Sequence, residues 1–184
     1  MTDGTDDPLG NFIRAVPDGD NIERAVCRDC GFVAYENPKI VVGSVVRAGG
    51  QILMCRRAIE PAYGLWTLPA GYLELNETPE DGARREAIEE ASADIRIDRL
   101  LAVYTVPRIS QVQLIYRATL LGPIAPGPES LEVALFDEAD IPWDEIAFPT
   151  VHWALGHDAE VLAGAAVAPF GNPPGATGDV MPKR

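Results

Sequence analysis

Residues 71–93, GYLELNETPEDGARREAIEEASA, place Glu86, Glu89 and Glu90 at i, i+3 and i+4. On a helix that spacing brings three carboxylates onto one face, within reach of each other. Like charges so placed destabilise a helix by roughly 0.2–0.5 kcal/mol per pair, so a crowded triad calls for a compensating positive charge. A hard, doubly charged cation such as Mg²⁺ suits the set, because carboxylate and water oxygens are its preferred ligands. A cation held this way typically binds and polarises phosphate oxygens.

The surrounding residues predict the helix. Thr78 is a good N-cap, Pro79 suits the first helical position, and Asp81 completes a T-x-x-D capping box. Glu80 and Asp81 sit favourably at the positive end of the helix dipole. Gly82 weakens the first turn by about 1 kcal/mol relative to alanine, which suggests close packing there. Ala83, Ala87, Ile88 and Ala91 form a small-residue stripe for docking on a sheet, with Arg85 and the glutamates on another sector. An arbitrary E-x-x-E-E triplet is most often a solvated acidic face. The register of its neighbours changes that reading.

The segment resembles a Nudix box, G-x5-E-x7-R-E-U-x-E-E-x-G-U with U aliphatic. Gly71, Glu77, Arg85, Glu86, Ala87, Glu89, Glu90 and Ala93 match it in register, while Ser92 replaces the last glycine. That glycine leaves the helix with positive φ, which serine tolerates less well. GLWTLPAGYLE is similar to the strand and loop that lead into the box. CRDCGFVAYENPKIVVGSVV, VPRISQVQLIYRA and IPWDEIAFPTVHWAL resemble a Nudix subgroup with a small N-terminal zinc ribbon, members of which hydrolyse ADP-ribose or flavin adenine dinucleotide (FAD). The similarity covers residues 20–160.

The resemblance implies an α/β fold, a Nudix-type α/β/α sandwich around a mixed sheet. It implies Glu86, Glu89 and Glu90 as ligands of Mg²⁺ or Mn²⁺, with a backbone carbonyl from Gly71 and support or a further cation at Glu77. Arg85 would orient the carboxylates by charge-assisted hydrogen bonds. The implied reaction is attack of metal-activated water on the pyrophosphate bridge of a nucleoside diphosphate linked to another group. Glu89, Glu129 and Glu132 stay open as the general base. A homodimer is implied as well. Nucleoside triphosphates and dinucleoside polyphosphates remain open as substrates, as does a silent nucleotide-sensing module. The NADH-specific signature SQPWPFP is absent, since Ser110-Gln111 is followed by Val112.

Fifteen basic residues against 28 acidic ones give a net charge of −13. Such a surface argues against general nucleic-acid binding. A phosphate substrate would need local attraction, for which Arg56, Arg57 and Arg108 are candidates. Tyr35, Phe32 and Tyr104 could stack on an adenine or flavin ring, or pack the ribbon or core. Trp66, Trp143 and Trp153 read as core or interface anchors. No run approaches the ~20 apolar residues of a membrane span, and MTDGTDDPLG lacks the features of a signal peptide, so a cytoplasmic protein is expected. There Cys27, Cys30 and Cys55 should be reduced thiols. Cys27-x-x-Cys30 is half of a zinc ribbon, but no cysteine or histidine stands at 5–12 where the first pair belongs, so structural zinc is not expected.

Along the chain, 1–20 reads as a flexible acidic arm and 21–38 as a residual ribbon, a small β-hairpin extension. The Nudix domain is expected at 39–163, and 164–184, rich in Gly, Pro and Ala, as a mobile tail. Within the domain, strands are expected at 40–47, 51–57, 65–68, 95–106, 111–121 and 131–136. Helices are expected at 79 to about 91 and at 149–162, with a short turn or helix at 141–146.

Overall fold

A computed structural model describes residues 10–164 and 169–179. The chain divides into two compact units, Met1–Pro38 and Lys39–Arg184. The first holds an antiparallel sheet of β1 (Phe12–Ala15), β2 (Arg24–Cys27) and β3 (Val33–Ala34), in that order. Gly31, at φ +72, closes the knuckle by donating its N–H to the Cys27 carbonyl at 3.0 Å. All three cysteines are free thiols. Residues 12–15 were expected in a loose arm and instead pair with β2 from Phe12↔Cys27 to Ala15↔Arg24. Their acidic, Gly- and Pro-containing surroundings hid a strand whose register is set only by its partner. Residues 1–9 of that arm lie outside the described residues.

The second unit contains β4 (Lys39–Ala48), β5 (Gln51–Arg57), β6 (Trp66–Thr67), β7 (Ala70–Tyr72), α1 (Pro79–Ala91), β8 (Ile95–Val106), β9 (Gln111–Leu120), β10 (Ser130–Phe136) and α2 (Pro149–Leu162). The sheet runs β10-β5-β4-β9-β8, with β4 and β9 parallel and its other pairs antiparallel, so it is mixed as expected. β4 and β5 pair only beside the Gly49-Gly50 turn, at Arg47↔Ile52 and Ala48↔Gln51. Beyond that they diverge, and β6 on β5 and β7 on β4 fill the opening. Gly43 permits this, because a Cβ there would stand 2.5 Å from that of Ala70.

Alternation along the strands sends side chains to opposite faces. Val45, Ile52, Met54 and Tyr104 pack with Val151, Ala154 and Leu155 of α2. Val46, Leu53 and Cys55 pack with Ala87 and Ala91 of α1. The sheet is therefore covered on both faces, which is why its strands read as unbroken apolar runs. Ala83, Ala87 and Ala91 are fully buried, but Ile88 is 55% exposed. It does not belong to the docking stripe, since one residue turns the helix by about 100° away from the Ala87 direction.

Two features were not legible beforehand. Asp158 of α2 is fully buried and accepts from Arg47 Nε at 2.6 Å and Arg117 Nε at 2.5 Å, joining α2 to β4 and β9. The described part of the presumed mobile tail also packs on the sheet edge. Phe170 donates its N–H to the Leu101 carbonyl (2.9 Å) and accepts from the Val103 N–H (2.8 Å), while its ring stacks on His157 at 4.2 Å. Residues 165–168 and 180–184 of that tail lie outside the described residues.

Candidate active site

The first turn of α1 forms as its sequence demands. Thr78 Oγ1 accepts from the Asp81 N–H at 3.2 Å and donates to Asp81 Oδ2 at 2.7 Å. Gly82 lies against Val42 and Glu77, where a Cβ would approach within 2.9 and 2.8 Å, the close packing its presence suggested. Seven residues after the cap, Arg85 gathers the acidic groups. It donates to both oxygens of Glu77 (3.1 and 2.8 Å), to Glu86 Oε1 (2.7 Å), to Glu89 Oε2 (2.9 Å) and to the Tyr72 carbonyl (2.9 Å). Hydrogen bonds from Arg85 and from the Glu74 N–H hold the Glu77 carboxyl below the usual carboxylate range. Arg85 is held in its charged form by the same contacts.

Glu86 and Glu90 are buried, whereas the Glu89 side chain is 56% exposed. Gly71 of β7 is where a Cβ would collide with the Glu86 carboxylate, so glycine there leaves room for the acid. Burial, and then the charge of Glu86, push Glu90 up to about 8, with Arg57 acting in the opposite direction. Burial also raises Glu86, offset by Arg85. Glu90 Oε2 is buried without a hydrogen-bond partner, an arrangement that is unfavourable unless something cationic or protic is supplied. Among the described residues no three carboxylate, imidazole or thiol groups stand as a ready-made cation site. Arg85 instead holds one oxygen each of Glu86 and Glu89.

The exit of α1 is also retained. Ser92 takes the left-handed conformation, φ 50, that the missing glycine would supply. The loop after β9 then caps the helix, Ala125 N–H donating to the Ala91 carbonyl (2.9 Å) and Gly127 N–H to the Glu90 carbonyl (3.0 Å). A Cβ at Gly127 would overlap the Glu89 carbonyl oxygen. This contact delivers Glu129 to the cleft beside the helix. Gly127→Ala should therefore lower stability by about 1–3 kcal/mol, as overpacking does, and the check is a urea melt. A loss below about 0.5 kcal/mol would show that the loop is not held by this approach.

The cleft has a volume of about 1080 Å³, and Gly71, Arg85, Glu86, Glu89, Glu90 and Glu129 line it together with Arg57. Arg57 donates through Nε to the Pro61 carbonyl at 2.8 Å and lies over the Phe148 ring. Other sequence candidates lie elsewhere. Arg56 bonds the Gly64 carbonyl (2.9 Å) and pairs with Glu132 (3.7 Å), and neither lines the cleft. Arg108 pairs with Asp179 at 3.2 Å. Tyr104 cannot stack on a substrate: it is fully buried, its hydroxyl 2.6 Å from His157 Nδ1 and its ring edge-on to Trp153. Its position on β8 points it at α2. Tyr35 and Phe32 are exposed in the N-terminal unit, and the Arg24 guanidinium lies over the Tyr35 ring. Trp66 is a core anchor, edge-on to Phe136, whereas Trp143 is 40% exposed against His152.

Sequence reading missed Lys39, Tyr72, Gln111 and Gln113, all in the cleft lining. Parallel register places Lys39 beside Gln111 and Val41 beside Gln113, and Tyr72 pairs with Val41. The alternating Gln-Val-Gln at the start of β9 was the one available signal, because residues two apart share a face.

The NUDIX domain model matches residues 37–154, and the Nudix N-terminal zinc-ribbon model matches residues 10–36. The chain belongs to the NUDIX domain family, and its fold is that of Nudix hydrolases. It is similar to a solved Nudix hydrolase from Nitrosomonas europaea, 44% identical with a TM-score of 0.83 over 89% of this chain and 95% of that one. A MutT-like protein of Streptomyces ambofaciens is 44% identical over 77 residues, 42% of this chain and 48% of that protein. An ADP-ribose pyrophosphatase of Methanocaldococcus jannaschii is 27% identical over 113 residues, 59% of this chain and 67% of that protein. The chain thus spans about half the length of the first of these curated relatives and two thirds of the second.

Proposed function

We propose that this chain is a divalent-metal-dependent hydrolase of the pyrophosphate bond in a nucleoside diphosphate linked to a second group, ADP-ribose or FAD. The observation that carries the reading is the buried, unpartnered oxygen of Glu90 beside Glu86, in a cleft whose Gly71 wall leaves space against that acid. An all-oxygen donor set of this kind fits Mg²⁺, or Mn²⁺, better than a softer metal. Glu86, Glu90 and Glu89 are the ligands this reading assigns, with the Gly71 carbonyl in support. A bound dication of this type lowers the pKa of water and neutralises charge on phosphate oxygens.

The chain's own residues have the remaining tasks. Arg85 positions Glu86, Glu89 and Glu77 rather than reaching for substrate, because its donors are already committed to them. Arg57 supplies positive charge for the phosphates. Glu89 and Glu129 line the cleft and are the carboxylates available to take a proton from water, whereas Glu132 is turned to Arg56. A cleft of about 1080 Å³ is at the upper end of the size usual for ligand sites, which suits a substrate with groups on both sides of the diphosphate. The archaeal relative named an ADP-ribose pyrophosphatase supports that choice. A cytoplasmic homodimer is part of the same reading and rests on the family resemblance. Among the described residues, no helix is long and apolar enough to cross a membrane.

The test is incubation with ADP-ribose, FAD, dinucleoside polyphosphates and nucleoside triphosphates, with Mg²⁺ and then Mn²⁺. AMP and a second monophosphate should appear from ADP-ribose or FAD in metal only. Binding without product from any of these compounds would replace the hydrolase with a nucleotide-sensing module.

A further inference from the structure

The C-terminal segment lies outside residues 37–154 matched by the domain model, yet it is fastened to β8 at two places and to the turn after β8 at a third. Phe170 bridges β8 through its backbone and stacks on His157. The Asn172 side chain accepts from the Thr105 N–H (2.9 Å) and donates to the carbonyls of Thr105 (2.8 Å) and Ala176 (3.1 Å). Asp179 pairs with Arg108 at 3.2 Å. Between the last two anchors Gly178, at φ +77, enters the cleft lining. A Cβ there would stand 3.0 Å from Val106 and 3.5 Å from Trp153. The segment is held closely against the end of β8, with a residue that no ordinary side chain can replace without strain.

This part of the cleft lies further along β4 than the Gly71 wall that faces Glu86. Val106 pairs with Gln111, and Gln111 with Lys39, whereas Gly71 pairs with Val42. Three residues along β4 correspond to about 10 Å. The lining here is apolar at Val106 and Ile109, and carries amides at Gln111 and Gln113, 3.1 Å apart. Apolar walls with a few amide donors and acceptors suit the faces and edge of a heterocyclic base, and the Lys39 ammonium beside Gln111 lies over the Tyr72 ring.

We propose that residues 169–179 form a strap that completes the base-binding wall of the cleft and sets base discrimination. The inference rests on the hydrolase reading for its substrates. Asn172, which is not in the lining, is a positioning residue, and Gly178 is the element that meets the bound group. Sites that hydrogen-bond a substrate edge discriminate strongly only while their walls are fixed, so loosening the strap should weaken selection before it weakens chemistry.

The experiment compares wild type, Asn172→Ala and Arg108→Ala on ADP-ribose and its uracil analogue, UDP-ribose. AMP and UMP affinities are measured in parallel by equilibrium dialysis in EDTA, and thermal melts verify folding. For Asn172→Ala, KM for ADP-ribose should rise about tenfold (~1.4 kcal/mol) with kcat within about twofold. The adenine-to-uracil ratio in kcat/KM should fall. Arg108→Ala, at an exposed pair, should fold normally and show a smaller change in the same direction. Equal losses on both substrates, or an unchanged ratio and AMP affinity in both variants, would overturn the strap. If wild type binds AMP but cleaves nothing, the hydrolase reading fails and the strap is judged on the AMP-to-UMP affinity ratio alone. If wild type shows no preference between the bases, the strap inference fails whatever the turnover.

Discussion

Glu90→Gln should remove nearly all turnover while making the metal-free protein more stable. The substitution keeps shape and removes a carboxyl whose charged form is disfavoured by burial and by Glu86, and which has one oxygen without a partner. Changes merely one shell outside a metal ligand typically lower affinity or activity by about 10–100-fold, so loss of a ligand should exceed about a hundredfold. Burial and Glu86 raise the folded-state Glu90 to about 8 from 4.5. A raised folded value means that the stabilising contribution is complete below 4.5 and is lost as pH rises through about 8. In EDTA, wild type should therefore weaken between pH 5 and 8.5 by up to a few kcal/mol, and Glu90→Gln should show a flatter profile. Mg²⁺ should raise the melting temperature of wild type more than that of the variant. Unchanged turnover in Glu90→Gln would end the metal-ligand assignment.

Asp158→Ala should be among the most destabilising single substitutions in the molecule. It strands the Arg47 and Arg117 guanidinia, whose side chains are 11% and 15% exposed, on either side of a vacated site. Removing one member of a buried ionic group typically costs about 3–5 kcal/mol, because it leaves buried charge uncompensated. Replacing all three with apolar residues of similar volume, Arg47→Met, Arg117→Met and Asp158→Leu together, should recover much of that loss. Urea denaturation of the single and triple variants decides the matter. A single-variant loss below about 1 kcal/mol would mean that water reaches the arginines and the cluster is peripheral. Because the cluster lies under α2, away from the Glu86–Glu90 face, folded Asp158→Ala should keep a near-normal KM at low temperature.

The part of the site carried by α1 was readable in the chain because it depends on spacings of three, four and eight residues. Thr78, Arg85, Glu86, Glu89 and Glu90 need only a helix to be brought together, and Pro79–Ala91 forms one. Ile88 was misplaced because a stripe written as small and aliphatic residues ignores the turn of about 100° per residue. Tyr104 looked like a stacking residue because aromatic character does not say which face of a strand is covered. Only the pairing of β8 with β9 and the packing of α2 turn it into the core.

Element types along the domain followed from local pattern, since alternation, caps and glycine turns act between residues close in the chain. The closing of the cleft did not. Gly43 against Ala70, Gly127 against the Glu89 carbonyl, and Gly178 against Val106 each pair residues far apart in sequence. Nothing in the local composition of a glycine says which backbone will press against it. The same holds for Asp158 between Arg47 and Arg117, and for Gln111 beside Lys39, where parallel register alone makes them neighbours. The amino-acid order by itself determined the acidic helix and the strands that surround it. Which residues face it across the cleft was decided by long-range packing, because contacts between distant segments form only once the sheet has chosen its register.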